Sequence, residues 1–105
     1  PKLECQNPDI NVNNPLYQKK CVFYLGEPTK SICIQQALNL GAKTTVYASS
    51  KTDYFITNDL EFLKTGDNAS IRKYKEAIGR NPNIKTLSVN EFNKIIEDFL
   101  PEEYR

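Results

Sequence analysis

Cys21–Leu25, CVFYL, is an unbroken apolar run. A strand without alternation is one covered on both faces. Gly26 ends it, and Pro28 suits the first turn of a helix, where its missing N–H would have no partner anyway. Ile34, Ala37, Leu38 and Gly41 follow at helical spacing, which predicts an amphipathic helix over 28–40 closed by Gly41. Thr44–Tyr47, rich in β-branched and aromatic side chains, reads as a second strand. Strand, helix and strand in that order bring the chain back parallel to where it began.

Tyr54–Thr57 reads as a third strand. Between the second and third lies Ala48–Asp53, polar and without Gly or Pro, whereas a tight hairpin would show Asn-Gly or Asp-Gly. The two strands are therefore expected on opposite sides of the first, with 48–53 spanning the edge between them. Asn58–Ala69 reads as a polar connection, and Ser70–Ile78 as a short helix with Ile71, Tyr74 and Ile78 on one face. Gly79–Asn83 is expected to break that helix, and Ile84–Leu87 to form a fourth strand. Ser88 and Glu91 in SVNE make a capping box that starts a last helix, with Phe92, Ile95, Ile96 and Phe99 as its buried stripe and Pro101 at its end. Residues 1–19 show no sustained period and read as an irregular, asparagine-rich N-terminal arm. The domain proper is expected over 20–100, with a tail at 101–105.

At 105 residues and 12.0 kDa the chain supports one core. Opening on a proline, it reads as a piece of a longer protein whose flanks could carry targeting signals. No apolar run approaches the roughly 20 residues that span a bilayer, and no membrane partner is expected. The net charge of +1 excludes a polycation built to neutralise a phosphate backbone. Locally the balance differs: Lys64, Arg72, Lys73, Lys75, Arg80 and Lys85 outweigh Glu61, Asp67 and Glu76, while the last stretch is acidic. Cys5, Cys21 and Cys33 include no C-x-x-C pair, which argues against a disulfide scaffold or a zinc site and fits a reducing compartment. The chain has no histidine, so Ser-His and Cys-His nucleophilic pairs and His-ligated metals are excluded. Neither a metal nor a cofactor is expected.

VFYLG at the first strand, LNLGAKTTVYASSKTDYFITN through the second and third, and NIKTLSVNEFNKII at the end together resemble the BRCT domain family over about residues 20–100. Within it, the first two pieces are similar to the BRCT-like domain in the regulatory subunit of the DDK kinase. Some likeness extends to poly(ADP-ribose) polymerases and the large subunit of the clamp loader. The resemblance implies an α/β fold with a four-stranded parallel sheet of order 2-1-3-4 flanked by three helices. Many members place Trp where this chain has Phe92.

Ligands of open parallel sheets sit beyond the carboxyl ends of the strands, where a helix N-terminus offers unpaired N–H groups. That draws attention to the turn Gly26–Ser31. Phosphate-binding members of the family carry a Ser or Thr just before the glycine and a Lys in the second helix. Carried over by position, the resemblance implies Gly26 and Lys73, with Lys75 next; Thr29, Lys30 and Ser31 are the hydroxyl and charge within reach in the turn. The chain departs from that pattern: Leu25 stands at the hydroxyl position and Glu27 adds a repelling charge.

Other features weigh toward structure. The six tyrosines are dispersed and fit core or boundary packing better than a base-stacking platform. Asp53, Asp59 and Glu61 read as loop solubility, and Cys21 and Cys33 as small buried apolar groups. The resemblance and the absence of catalytic groups point to a non-catalytic module of a nuclear replication, repair or checkpoint protein that docks partner proteins, phosphorylated or not. DNA recognition through backbone or terminal phosphates is the alternative, and a small flavodoxin-like enzyme domain ranks last.

Overall fold

The computed structural model describes residues 2–105. Its sheet has four strands, β1 (Lys20–Phe23), β2 (Lys43–Thr44), β3 (Tyr54–Ile56) and β4 (Lys85–Leu87), in the order β2-β1-β3-β4. Every pairing is parallel: Lys20 faces Lys43, Cys21 faces Tyr54, and Tyr54 faces Lys85. The expected strand order therefore stands, with β2 and β3 on either side of β1.

The segment between β2 and β3 crosses below the start of β1, held by side chains instead of turn glycine. The Asp53 carboxylate accepts the Lys20 N–H at 2.9 Å, while the Asp53 N–H donates to the Lys20 carbonyl at 2.8 Å. Thr52 is buried and its hydroxyl accepts the Ser49 N–H at 2.9 Å.

Alternation along β1 and β3 divides the core in two. Cys21, Phe23, Tyr54 and Ile56 face one side, where α1 (Thr29–Asn39) contributes Cys33 and Ala37 and α4 (Val89–Phe99) contributes Phe92 and Ile96. The Phe23 and Phe92 rings meet edge to face at 5.3 Å. Val22 and Phe55 face the other side, covered by Leu63 of α2 (Leu60–Thr65) and by Ile71 and Ala77 of α3 (Ala69–Arg80). The capping box of α4 is present in full, with Ser88 and Glu91 each accepting the other's N–H.

Three differences from the sequence reading have physical causes. The connection 58–69 contains a helix, α2, because Asp59 caps it: its carboxylate accepts the Phe62 N–H at 3.0 Å. Helix α3 runs through Gly79 to Arg80; nothing crowds that glycine, and a helical glycine costs only about 1 kcal/mol. Strand β2 stops at Thr44 because it is an edge with no outer partner, and Val46 beyond it is 72% exposed. The buried positions of α1 facing the Cys21 side of the sheet are Cys33 and Ala37, continued by Leu40 at its cap, while Ile34 and Leu38 are half-buried.

The N-terminal arm is irregular yet built into the core. Leu16 is fully buried beside Cys21 and Tyr54. The end of α1 leaves carbonyls that no helical N–H can reach. Here the Asn7 and Asn14 amides, both buried, donate to the carbonyls of Asn39 and Leu40 at 2.9 Å each. The asparagines of the arm thus act as a cap supplied from a distant part of the chain. Gly41 adopts φ +83° there, with the Tyr17 ring packed where a side chain would stand.

Candidate functional site

Beyond the carboxyl ends of β1 and β3 the chain diverges into α1 on one side and α2 on the other. The opening left between them is a groove of about 580 Å³. Tyr24, Leu25, Gly26, Glu27 and Thr29 line it from the β1 side. Thr57, Asn58 and Asp59 line it from the β3 side. Its floor is an extension of the ladder: the Tyr24 N–H donates to Ile56 at 2.8 Å and the Thr57 N–H to Leu87 at 2.9 Å.

Three helices begin around this groove, and in each one of the first N–H groups is taken by a side-chain acceptor of the chain itself. The Glu27 carboxylate accepts the Ser31 N–H at 2.9 Å with one oxygen and the Ser31 hydroxyl at 2.8 Å with the other. The Ser31 backbone N–H, followed by its hydroxyl, holds the Glu27 carboxyl below its ordinary value of 4.5. Asp59 closes α2 as described above, and its own N–H donates to the buried Thr57 hydroxyl at 3.1 Å. The Asn58 side-chain oxygen accepts the first N–H of α4, from Val89, at 3.0 Å. The positive ends of the helix dipoles are thus met by two carboxylates and an amide oxygen.

The residues singled out in the sequence do not converge. Gly26 and Thr29 line the groove. Lys30, half-buried, lines two smaller depressions with Val46, one of which shares Tyr24 and Leu25 with the groove. The Lys73 ammonium lies 4.7 Å from the centre of the Tyr47 ring, in a separate depression with Ser49, Ser50, Glu76 and Arg80. The Lys75 ammonium donates to the Lys64 carbonyl at the end of α2, at 3.3 Å. Ser31 is engaged by Glu27, and Leu25 is a half-buried wall of the groove that also packs on the core. Among the described residues no lysine or arginine lines the groove.

Asp53 and Asp59 flank opposite ends of β3, so the acidic residues noted in the sequence do not share a pocket. Among the described residues no group of three or more His, Cys, Asp or Glu side chains is placed to hold a metal. Burial first, then the Asp53 charge, pushes the Cys21 thiol up to about 12. The contribution of Thr57–Asp59 was missed in the sequence. Its signal was present in Asp59 as a helix cap ahead of Leu60 and Leu63, but six residues are too few for a helical period to show.

Next to the groove, the Tyr24 ring lies near a second aromatic ring. Tyr24 lies 6.3 Å from Phe62 of α2, ring centre to ring centre, and its hydroxyl accepts the Asn68 amide at 2.9 Å. Leu60, next to Asp59, and Phe62 are exposed, at 54% and 38%.

Comparison with known proteins agrees with this arrangement of elements. The family described as the BRCA1 C Terminus (BRCT) domain matches residues 11–96. Among solved structures, the C-terminal BRCT domain of human XRCC1 superposes with a TM-score of 0.60 at 17% identity, covering 84% of this chain and 86% of that one. At that identity the likeness is one of fold. No curated protein sequence matches.

Proposed function

The chain belongs to the BRCT domain family, and from that premise we propose that it is a non-catalytic docking module of a nuclear DNA replication, repair or checkpoint protein. BRCT domains are protein-interaction modules, and family membership supports both the docking role and the setting. The observation that carries the reading is the groove at the carboxyl ends of β1 and β3, open to solvent and walled by Tyr24 and Leu25 beside exposed Leu60 and Phe62. A partner segment covering those side chains gains about 25 cal/mol for each Å² of apolar surface removed from water.

The test is site-specific photocrosslinking in the full-length protein. A benzophenone residue replaces Leu60, beside the groove, or Lys94, on the exposed side of α4. The expected result is a nuclease-resistant protein adduct from position 60 and none from 94. Equal labelling from both positions, or adducts only to nucleic acid, refutes protein docking in the groove.

A second reading, DNA recognition, is favoured by the depression beside α3. Lys73 and Arg80 border it, and neither is in a salt bridge among the described residues; the exposed Tyr47 ring lies under Lys73. Each phosphate contact would add about 0.9 to the salt slope of log affinity on duplex DNA. Unchanged duplex affinity in Lys73→Glu removes this reading.

A further inference from the structure

We infer that the groove between the ends of β1 and β3 selects an extended, unphosphorylated peptide that sets a lysine or arginine beside an apolar side chain. The inference rests on the reading of this groove as the docking site, and it concerns the chemistry of the occupant.

An oxyanion is held best by donors together with a cation; the groove has the Thr29 hydroxyl and backbone N–H groups of the turn, but among the described residues no cation lines it. The Ser31 N–H and hydroxyl are both taken by Glu27, the Phe62 N–H by Asp59, and the Val89 N–H by Asn58. The Leu25 side chain presents no donor. Lys30, whose charge joins the Ser31 hydrogen bonds in holding the Glu27 carboxyl low, lines the neighbouring depression with Val46. The Lys73 and Lys75 ammonium groups lie against Tyr47 and the end of α2. A phosphate entering here would meet two like charges, Glu27 and Asp59.

A cation meets the opposite situation. Glu27 and Asp59 are the charged residues of the lining, one on each side, and both are exposed. One Asp59 oxygen accepts the helical N–H, which leaves the other free for a guanidinium or ammonium. Beside them stand the apolar surfaces of Tyr24, Leu25 and Leu60, which suit an aliphatic or aromatic neighbour of the basic residue. The carboxylates set the sign of the ligand, and the apolar walls supply the contact area.

Fluorescence anisotropy with labelled dodecapeptides tests this. They share one neutral scaffold and differ at a central pair: Arg-Leu, phosphoserine-Leu or Gln-Leu. The Arg-Leu peptide is expected to bind saturably and ahead of the other two, more weakly as salt is raised. Glu27→Gln and Asp59→Asn keep an acceptor at each cap, so the helices stay closed while the charge is lost. Each is expected to weaken the Arg-Leu peptide by about two- to fivefold and leave the Gln-Leu peptide unchanged. The inference is overturned if the phosphoserine peptide binds as tightly as Arg-Leu, if the double variant binds Arg-Leu as the parent does, or if Arg-Leu shows no saturable binding. A phosphopeptide seated in the groove would leave the docking role intact while removing the charge preference; an unlabelled partner in the position-60 crosslinking would remove the docking role itself.

Discussion

Replacing Leu16 by alanine tests whether the arm is decoration or core. The side chain has no solvent exposure and packs among Cys21, Tyr54 and Leu100. Leucine-to-alanine changes at such sites cost about 2–5 kcal/mol, the upper part applying where the surroundings cannot close in. Closure is restricted here because the backbone is tied on both sides. The Leu16 N–H donates to the Asn14 side chain at 2.8 Å, and its carbonyl accepts the Lys19 N–H at 3.0 Å. We therefore expect a loss of about 3–4 kcal/mol. In urea, with a slope of about 1–3 kcal/mol per molar, that lowers the midpoint by at least about 1 M. Leu3→Ala is the control: Leu3 is 40% exposed, and its replacement should stay within about 0.5 kcal/mol. A Leu16→Ala loss no larger than that of the control, at unchanged slope, would refute the claim that the arm completes the core.

Two glycine-to-alanine changes are expected to have opposite signs by calorimetry. Gly41→Ala puts a methyl 2.7 Å from the Tyr17 ring at φ +83° and should destabilise by more than about 1 kcal/mol, whereas Gly79→Ala, in open space within α3, should stabilise by up to about 1 kcal/mol. The Glu27 carboxyl is lowered by hydrogen bonds made to its ionised form, so its contribution to stability is present above the unfolded-chain value and is lost as pH falls through the folded one. Ser31→Ala should raise the Glu27 value seen by NMR titration toward 4.5, and a value unmoved by the loss of the hydroxyl would contradict the assigned cause. Iodoacetamide should modify exposed Cys5 in the native protein but spare Cys21 and Cys33, whose thiols burial pushes up, until the chain is unfolded. Native labelling of Cys21 at the rate of Cys5 would show that the centre of the sheet opens readily.

The sheet was legible because its signals are local and strong. CVFYL, an apolar run without alternation followed by Gly26, marks a covered strand, although β1 itself ends at Phe23. The turn residues missing between Tyr47 and Tyr54 argue for a crossing. Both follow from rules that a single sequence exposes. What escaped notice depends on partners far along the chain. Asn7 and Asn14 look like loop residues until the end of α1 is seen to need their amides. Lys73 and Lys75 are neighbours in sequence, yet they leave α3 toward different surroundings, so position alone could not bring them to Gly26. Glu27 was recognised as a repelling charge, but its tie to Ser31, which uses that residue's N–H and hydroxyl, is a matter of side-chain geometry.

The all-parallel pairing also governs when the molecule can take shape during synthesis. Lys20 waits for Lys43, Cys21 for Tyr54, and Tyr54 for Lys85. Among the described residues no hairpin is present to nucleate the sheet early, and distant pairings of this kind slow folding. The nascent polypeptide thus carries Val22 and Phe55 uncovered until α3 has left the ribosome, an interval in which chaperones have apolar surface to hold.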